Sequence, residues 1–414
     1  MAAHTLFLEP NKNKPLHART HIVLMSNQTP PLLQTLHCSN CSDWLRLEYL
    51  PFEENREGVH VIFNRLPTLV CPTCSSRYLP FRSSQAVNYA IEEAKRRHAS
   101  EVMMRTKHDK ISKRYRYCNS VTFAYDWIDY EYLPGLERPW DKGFLTPVFF
   151  DGKVLLKYYH SPEYDVIFTS DTAGRIYHGR KHMIDFGLNR KRKLFTWLGL
   201  LDRLPKKEQQ YFQSYNVKSD HDIASQFYEN EIEANFTPVS KEAKLLQLKA
   251  DFGANSLRKY GLRVYEPDTD TASQMKKIKR PIVWNKDGIS SVINSLNQLC
   301  VESINAGGLK GALRDLDSSF DTKGLGGLKL LEHWIETRLY PLNSTQITLP
   351  FFVLYDLRVS LFHKISEERM KDMLKSYCKR LGLPSRQSSF ERVYDSLIDK
   401  MSESYERLIS HFVA

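Results

Sequence analysis

Two close pairs of cysteines, Cys38 with Cys41 and Cys71 with Cys74, constrain this chain more than any other feature. Two residues between partners let both thiolates of a knuckle face one tetrahedral ion, and two knuckles close a four-sulfur shell. The spacing predicts a structural Zn2+ site, because four thiolates leave no position open to water or substrate. Disulfides fit less well. The chain opens Met1-Ala2-Ala3-His4 without a charged-then-apolar leader, and Cys118, Cys300 and Cys378 bring the cysteines to an odd 7. His37 and His60 could each replace one sulfur, although neither is required. The stretch 42–70 is long for a ribbon. Within it, 44–50 and 59–63 alternate polar with apolar residues, which predicts an inserted hairpin.

With 414 residues and 42% hydrophobic content, the chain is long enough for two or three cores. The expected fold class is an α+β multidomain protein. It consists of an extended lead-in (1–36), a small zinc-ribbon-like module (37–82), a basic linker helix (83–117), a mixed α/β middle domain (118–280) and an all-α helical bundle (281–414). No apolar run reaches the roughly 18 residues that span a bilayer. Together with the cysteine pattern, that predicts a cytoplasmic protein with no membrane partner.

Lys and Arg outnumber acids 59 to 48, and the excess is concentrated in two segments. The first carries Lys95, Arg96, Arg97, Arg105, Lys107, Lys110, Lys113, Arg114 and Arg116 against Glu101 and Asp109. The second carries Arg175, Arg180, Lys181, Arg190, Lys191, Arg192 and Lys193 against Asp185 alone. Neither run has the interleaved acids of a salt-bridged helix, and Tyr115 and Tyr117 stand where bases could stack. The pattern predicts a nucleic-acid partner, RNA before DNA, held by the first run and by residues 190–193.

Along the chain, Val87, Ala90, Ile91, Ala94 and Val102 recur at three- and four-residue steps and predict one long helix from Ser83 or Ser84. Strands are expected at 143–150, 153–159 and 166–168, with turns at Asp151-Gly152 and Ala173-Gly174. Helices are expected at 219–232, 240–260, 287–305, 324–340, 351–363, 366–381 and 389–413. Ser219 and Asp222 sit at capping-box spacing ahead of an apolar run, a better reading of Ser219-Asp220-His221-Asp222 than a metal site.

The chain lacks a phosphate-binding loop ending in Gly-Lys-Ser or Gly-Lys-Thr, a His-Glu-x-x-His helix and a Gly-x-Ser-x-Gly elbow. One motif stands out in the C-terminal third, Leu357-Arg358-Val359-Ser360-Leu361-Phe362-His363. An arginine, four residues and a histidine near the end of an apolar helix resemble the signature of the HEPN family of helical nucleases, all-α bundles with an Arg-x(4–6)-His motif. The resemblance covers about residues 282–414. It implies metal-independent RNA cleavage in which Arg358 neutralises the scissile phosphate and His363 moves a proton to or from the ribose 2′-hydroxyl. It also implies a homodimer through the bundle, and a place in a bacterial toxin or antiviral defence system. Val359 stands where the family often has a polar residue. The alternative expectation is a non-enzymatic nucleic-acid-binding or adaptor protein whose bundle only dimerises.

Overall fold

The computed structural model describes residues 35–104, 115–266, 271–363, 365–384, 386 and 388–413. Apart from its last two residues, the expected lead-in lies outside these, as do Arg105, Lys107, Lys110, Lys113 and Arg114. Packing divides the chain into two compact units, the first running to Thr237 and the second from Pro238 onward together with Phe168–Asp171.

The first unit opens with the cysteine knuckles and the hairpin between them, strands β1 (Arg46–Arg56) and β2 (Val59–Val70). Arg56 pairs with Val59 across Glu57 and Gly58, whose φ values of 55° and 79° are those of the primed turn that suits twisted strands. Alternation then buries Val59, Val61 and Phe63 on one face. Helix α1 (Phe81–Arg96) covers that face with Val87, Ala90, Ile91 and Ala94. The expected long helix is shorter than its periodicity suggested. It stops at Arg97, where His98 takes φ 54° and its N–H bonds the carbonyl of Lys95, while the Ala99 N–H reaches back to Ala94 at 2.9 Å. Val102 therefore belongs to a strand. After β3 (Arg77–Tyr78) pairs the end of β2, β4 (Glu101–Met104) lies parallel to the start of β2.

The rest of this unit is a six-stranded sheet. Its strands are β5 (Pro147–Phe150), β6 (Tyr164–Phe168), β7 (Ala173–His178), β8 (Lys181–Leu188), β9 (Leu194–Trp197) and β10 (Asn216–Val217), in the order β10-β5-β9-β8-β7-β6. Every residue of β5 and β9 is buried, which marks central strands covered on both faces. Five helices accompany the sheet: α2 (Trp127–Tyr132), α3 (Leu156–His160), α4 (Leu198–Asp202), α5 (Lys206–Ser214) and α6 (Gln226–Tyr228). The strand expected at 153–159 is helical instead. The Asp151 carboxylate accepts the Lys153 N–H at 2.9 Å and starts a turn of helix. The capping box expected at Ser219 does not form either. Ser225 caps α6, and Ser219 is used elsewhere.

The second unit is helical. It contains α7 (Lys241–Tyr260), α8 (Thr271–Lys277), α9 (Lys286–Asn297), α10 (Ala306–Leu316), α11 (Gly327–Arg338), α12 (Ser344–Phe362), α13 (Glu367–Arg380) and α14 (Phe390–Val413). With these the described residues hold fourteen α-helices. The helical region begins well before the expected 281, because α7 buries Leu245 and Phe252 in the same core as Tyr405 and Phe412 of α14. Each such fully buried side chain contributes about 1.5–3 kcal/mol. Helix α12 also starts earlier than expected. Asn343 caps it by accepting the Gln346 N–H, and Pro350 is taken into the helix rather than preceding it.

Candidate functional site

The two knuckles are built alike. Cys38 N–H donates to the Asp43 carbonyl and Ser42 N–H to the Cys38 carbonyl, while Cys71 N–H donates to Ser76 and Ser75 N–H to Cys71, all at 2.8–2.9 Å. The residue four beyond the first cysteine is left-handed in both, Ser42 at φ 59° and Ser75 at φ 61°. This turn carries the second sulfur back toward the first, and the strands of the hairpin bring the two turns together.

The resulting sulfurs all lie within 4.8 Å of one another, with Cys41 to Cys71 at 3.4 Å and both Cys38 and Cys41 at 3.5 Å from Cys74. A tetrahedral ion with bonds near 2.3 Å requires sulfur separations of about 3.8 Å, so the cluster fits one metal ion. None of the seven cysteines is in a disulfide. Cys38 and Cys71 are buried, whereas Cys41 and Cys74 face solvent.

Second-sphere donors hold the sulfurs. Burial pushes the Cys38 thiol up, but hydrogen bonds from the Tyr78 hydroxyl and the Asn40 and Cys41 N–H groups outweigh it and bring it down to about 6. The Ser76 hydroxyl and N–H draw Cys74 down in the same way. Side chains also bridge the knuckles, Ser39 to Tyr78 at 2.9 Å, Asn40 to Ser76 at 2.8 Å, and Thr73 to Asp43. The alternative ligands are engaged elsewhere. His37 packs on Trp44 and pairs with Glu229 at 3.2 Å, and His60 bonds Glu53 and Glu101.

Among the described residues, many cations of the basic segments are paired with acids, some nearby in sequence and some distant. Lys95 meets Glu57, and Arg96 and Arg97 share Glu93 at 2.6 Å. Arg175 pairs with Asp185 at 2.9 Å. Arg190 bonds the buried Asp222 at 3.0 Å and the Trp44 carbonyl, while Lys191 and Lys193 converge on Asp220. These residues tie loops together. Tyr115 is not an open stacking ring, since it is buried against Tyr125 and Tyr130. Arg116 remains well exposed, over the ring of the half-buried Tyr117.

A polar cluster that spacing did not expose surrounds Asp129 of α2. Its fully buried carboxylate accepts hydrogen bonds from His221 Nδ1 at 2.6 Å and Ser219 Oγ at 2.5 Å. His221 is held with φ 58°, its ring edge against Tyr49 and its carbonyl bonded to the Leu47 N–H. Burial alone would lower the imidazole pKa. The charge and hydrogen bond of Asp129 dominate and raise it, with Asp126 and Asp220 adding to the effect.

In the helical unit, Arg358 and His363 lie at the end of α12. The Arg358 guanidinium sits 3.6 Å from Glu302 and 5.7 Å from the Phe362 ring, and its Nε is buried with no hydrogen-bond partner among the described residues. His363 caps the helix in an extended conformation, its N–H on Val359 and its carbonyl accepting from Lys286. Among the described residues of one chain, the two side chains do not contact each other. Arg358 shares a stripe with Tyr355 and Phe362, which are 44% and 57% exposed, and His363 follows directly at the helix end.

Compared with known proteins, the chain matches no family model, no curated protein and no solved structure.

Proposed function

We propose that this chain is an RNA-acting protein, a metal-independent endoribonuclease effector of the toxin or defence type, whose helical units pair symmetrically. The observation that carries the reading is the α12 stripe. Large apolar side chains are normally covered, yet Tyr355 and Phe362 remain 44% and 57% exposed at the end of α12, close in sequence to Arg358 and His363. A second copy laid on that stripe would shield the aromatics and bring the Arg358 of one protomer toward the His363 of its partner.

In such a pocket Arg358 would exchange Glu302 for the phosphate, whose oxygens match its planar fork. His363 would take the proton of the ribose 2′-hydroxyl. The 2′-oxygen then attacks phosphorus, the 5′-oxygen leaves and is protonated, and a 2′,3′-cyclic phosphate remains. In this reading the four cysteines hold a structural Zn2+ that folds the knuckles and takes no part in the chemistry.

Incubation with RNA in a magnesium chelator tests the proposal. Cleavage leaving cyclic phosphate ends, reduced at least about a hundredfold in His363→Ala, is the expected result. A specific observation favours the second reading, a binding or adaptor protein: Arg358 already has Glu302 as its partner. Wild type and His363→Ala that both leave RNA intact would establish that reading instead.

A further inference from the structure

The first unit exposes a tryptophan on a turn flanked by exposed cations. Trp140 is 75% exposed, a large departure for a residue whose indole ordinarily seeks cover. Its turn is held on the C-terminal side. Gly143 adopts φ 88° directly under the Tyr115 ring, where an added Cβ would lie 2.2 Å from the ring, so this backbone is open only to glycine. Phe144 N–H closes on the Asp141 carbonyl at 2.9 Å, and the Phe144 ring lies flat on Gly199. Trp140 is therefore presented to solvent by a well-anchored segment, which lowers the ordering cost of using it.

Cations surround the same turn. Arg203 stands 5.0 Å over the Phe144 ring, Phe144 meets Tyr117 edge-on at 5.7 Å, and Arg116 lies 5.7 Å over Tyr117. Arg116 is 75% exposed and touches Asp141 only at 3.9 Å. Lys142 and Arg203 are exposed and have no acidic partner among the described residues, and Lys206 and Lys207 follow Arg203 at the start of α5. An open indole flanked by guanidinium and ammonium groups combines the two elements that grip an unpaired strand, a stacking face and a phosphate track.

We infer that this surface binds single-stranded nucleic acid, with a base stacked on Trp140 and the adjoining phosphates on Arg116, Lys142 and Arg203. A duplex keeps its bases inside and would reach the cations alone. A membrane would call for a broad apolar face, which this turn does not offer. The inference is independent of the Arg358–His363 proposal, so either can fail alone.

The test uses the zinc-loaded full chain and a fluorescent 2′-O-methyl oligouridylate of about 12 nucleotides, which has no attacking hydroxyl and so separates binding from cleavage. Trp140→Ala should weaken binding about ten- to a hundredfold, and Trp140→Phe should stay within about threefold of wild type. Arg116→Gln combined with Arg203→Gln should lower the slope of log K against log salt by about 1.4. Unchanged binding by Trp140→Ala, with its melting temperature intact, would overturn the inference. So would a loss confined to phosphatidylserine vesicles, which would make the surface a membrane contact.

Discussion

Replacing Asp129 by Asn keeps the shape of the buried side chain and removes its charge. In the wild type that carboxylate is fully buried and receives both His221 Nδ1 and Ser219 Oγ, so the substitution strips His221 of its counter-charge. Removing one partner of a buried pair costs about 3–5 kcal/mol. For a unit of this size each kcal/mol corresponds to about 2–4 °C in Tm, which gives a fall of about 6–20 °C. The pH dependence identifies the cause. Because folding raises the pKa of His221, its stabilisation is fully present at and below the ordinary value near 6.5 and is lost as pH rises through the higher folded value. The gap between wild type and Asp129→Asn should therefore narrow on the alkaline side. Denaturant melts of Asp129→Asn, His221→Gln and the double variant at several pH values measure this, and a coupling energy below about 0.5 kcal/mol would refute the reasoning.

Two further substitutions probe the supports of the proposed sites. Tyr78→Phe deletes the hydroxyl that bonds Cys38 and Ser39, and should weaken zinc binding about 10- to 100-fold in a chelator competition, with the fold retained. Gly143→Ala forces a Cβ into the Tyr115 ring at a positive φ and should cost at least about 1–3 kcal/mol in a thermal melt of the first unit.

The knuckles and the hairpin between them were legible because their signals are local, a two-residue cysteine spacing and a period of two. The matching left-handed serines at 42 and 75 follow the same local pattern, readable as the residue after each second cysteine. Long-range partnerships were not legible. Residues 190–193 looked like a free cationic run because Asp220 and Asp222, which pair with three of its four side chains, come from a different loop. Val102 kept helical phase with α1 although the chain had already reversed at His98, and only its pairing with Val61 assigns it to a strand. Likewise α7 carries an amphipathic pattern that fits either neighbour, and the stacking of Phe252 on Phe412 decides which core it joins. Trp140 gave no periodic signal, since its meaning lies in exposure.

Strand β2 is clamped differently at its two ends. Strand β1 runs along its whole length, but on the other side the parallel β4 pairs its first residues from His60 to Phe63, whereas its last residues, which run straight into the second knuckle, meet only the two-residue β3 there. Removing an ion held by the four cysteines would thus loosen the ribbon from the cysteine end while its distal tip stayed zipped. A protease would then find its first opening around residues 71–76, leaving the hairpin turn at Glu57 and Gly58 intact.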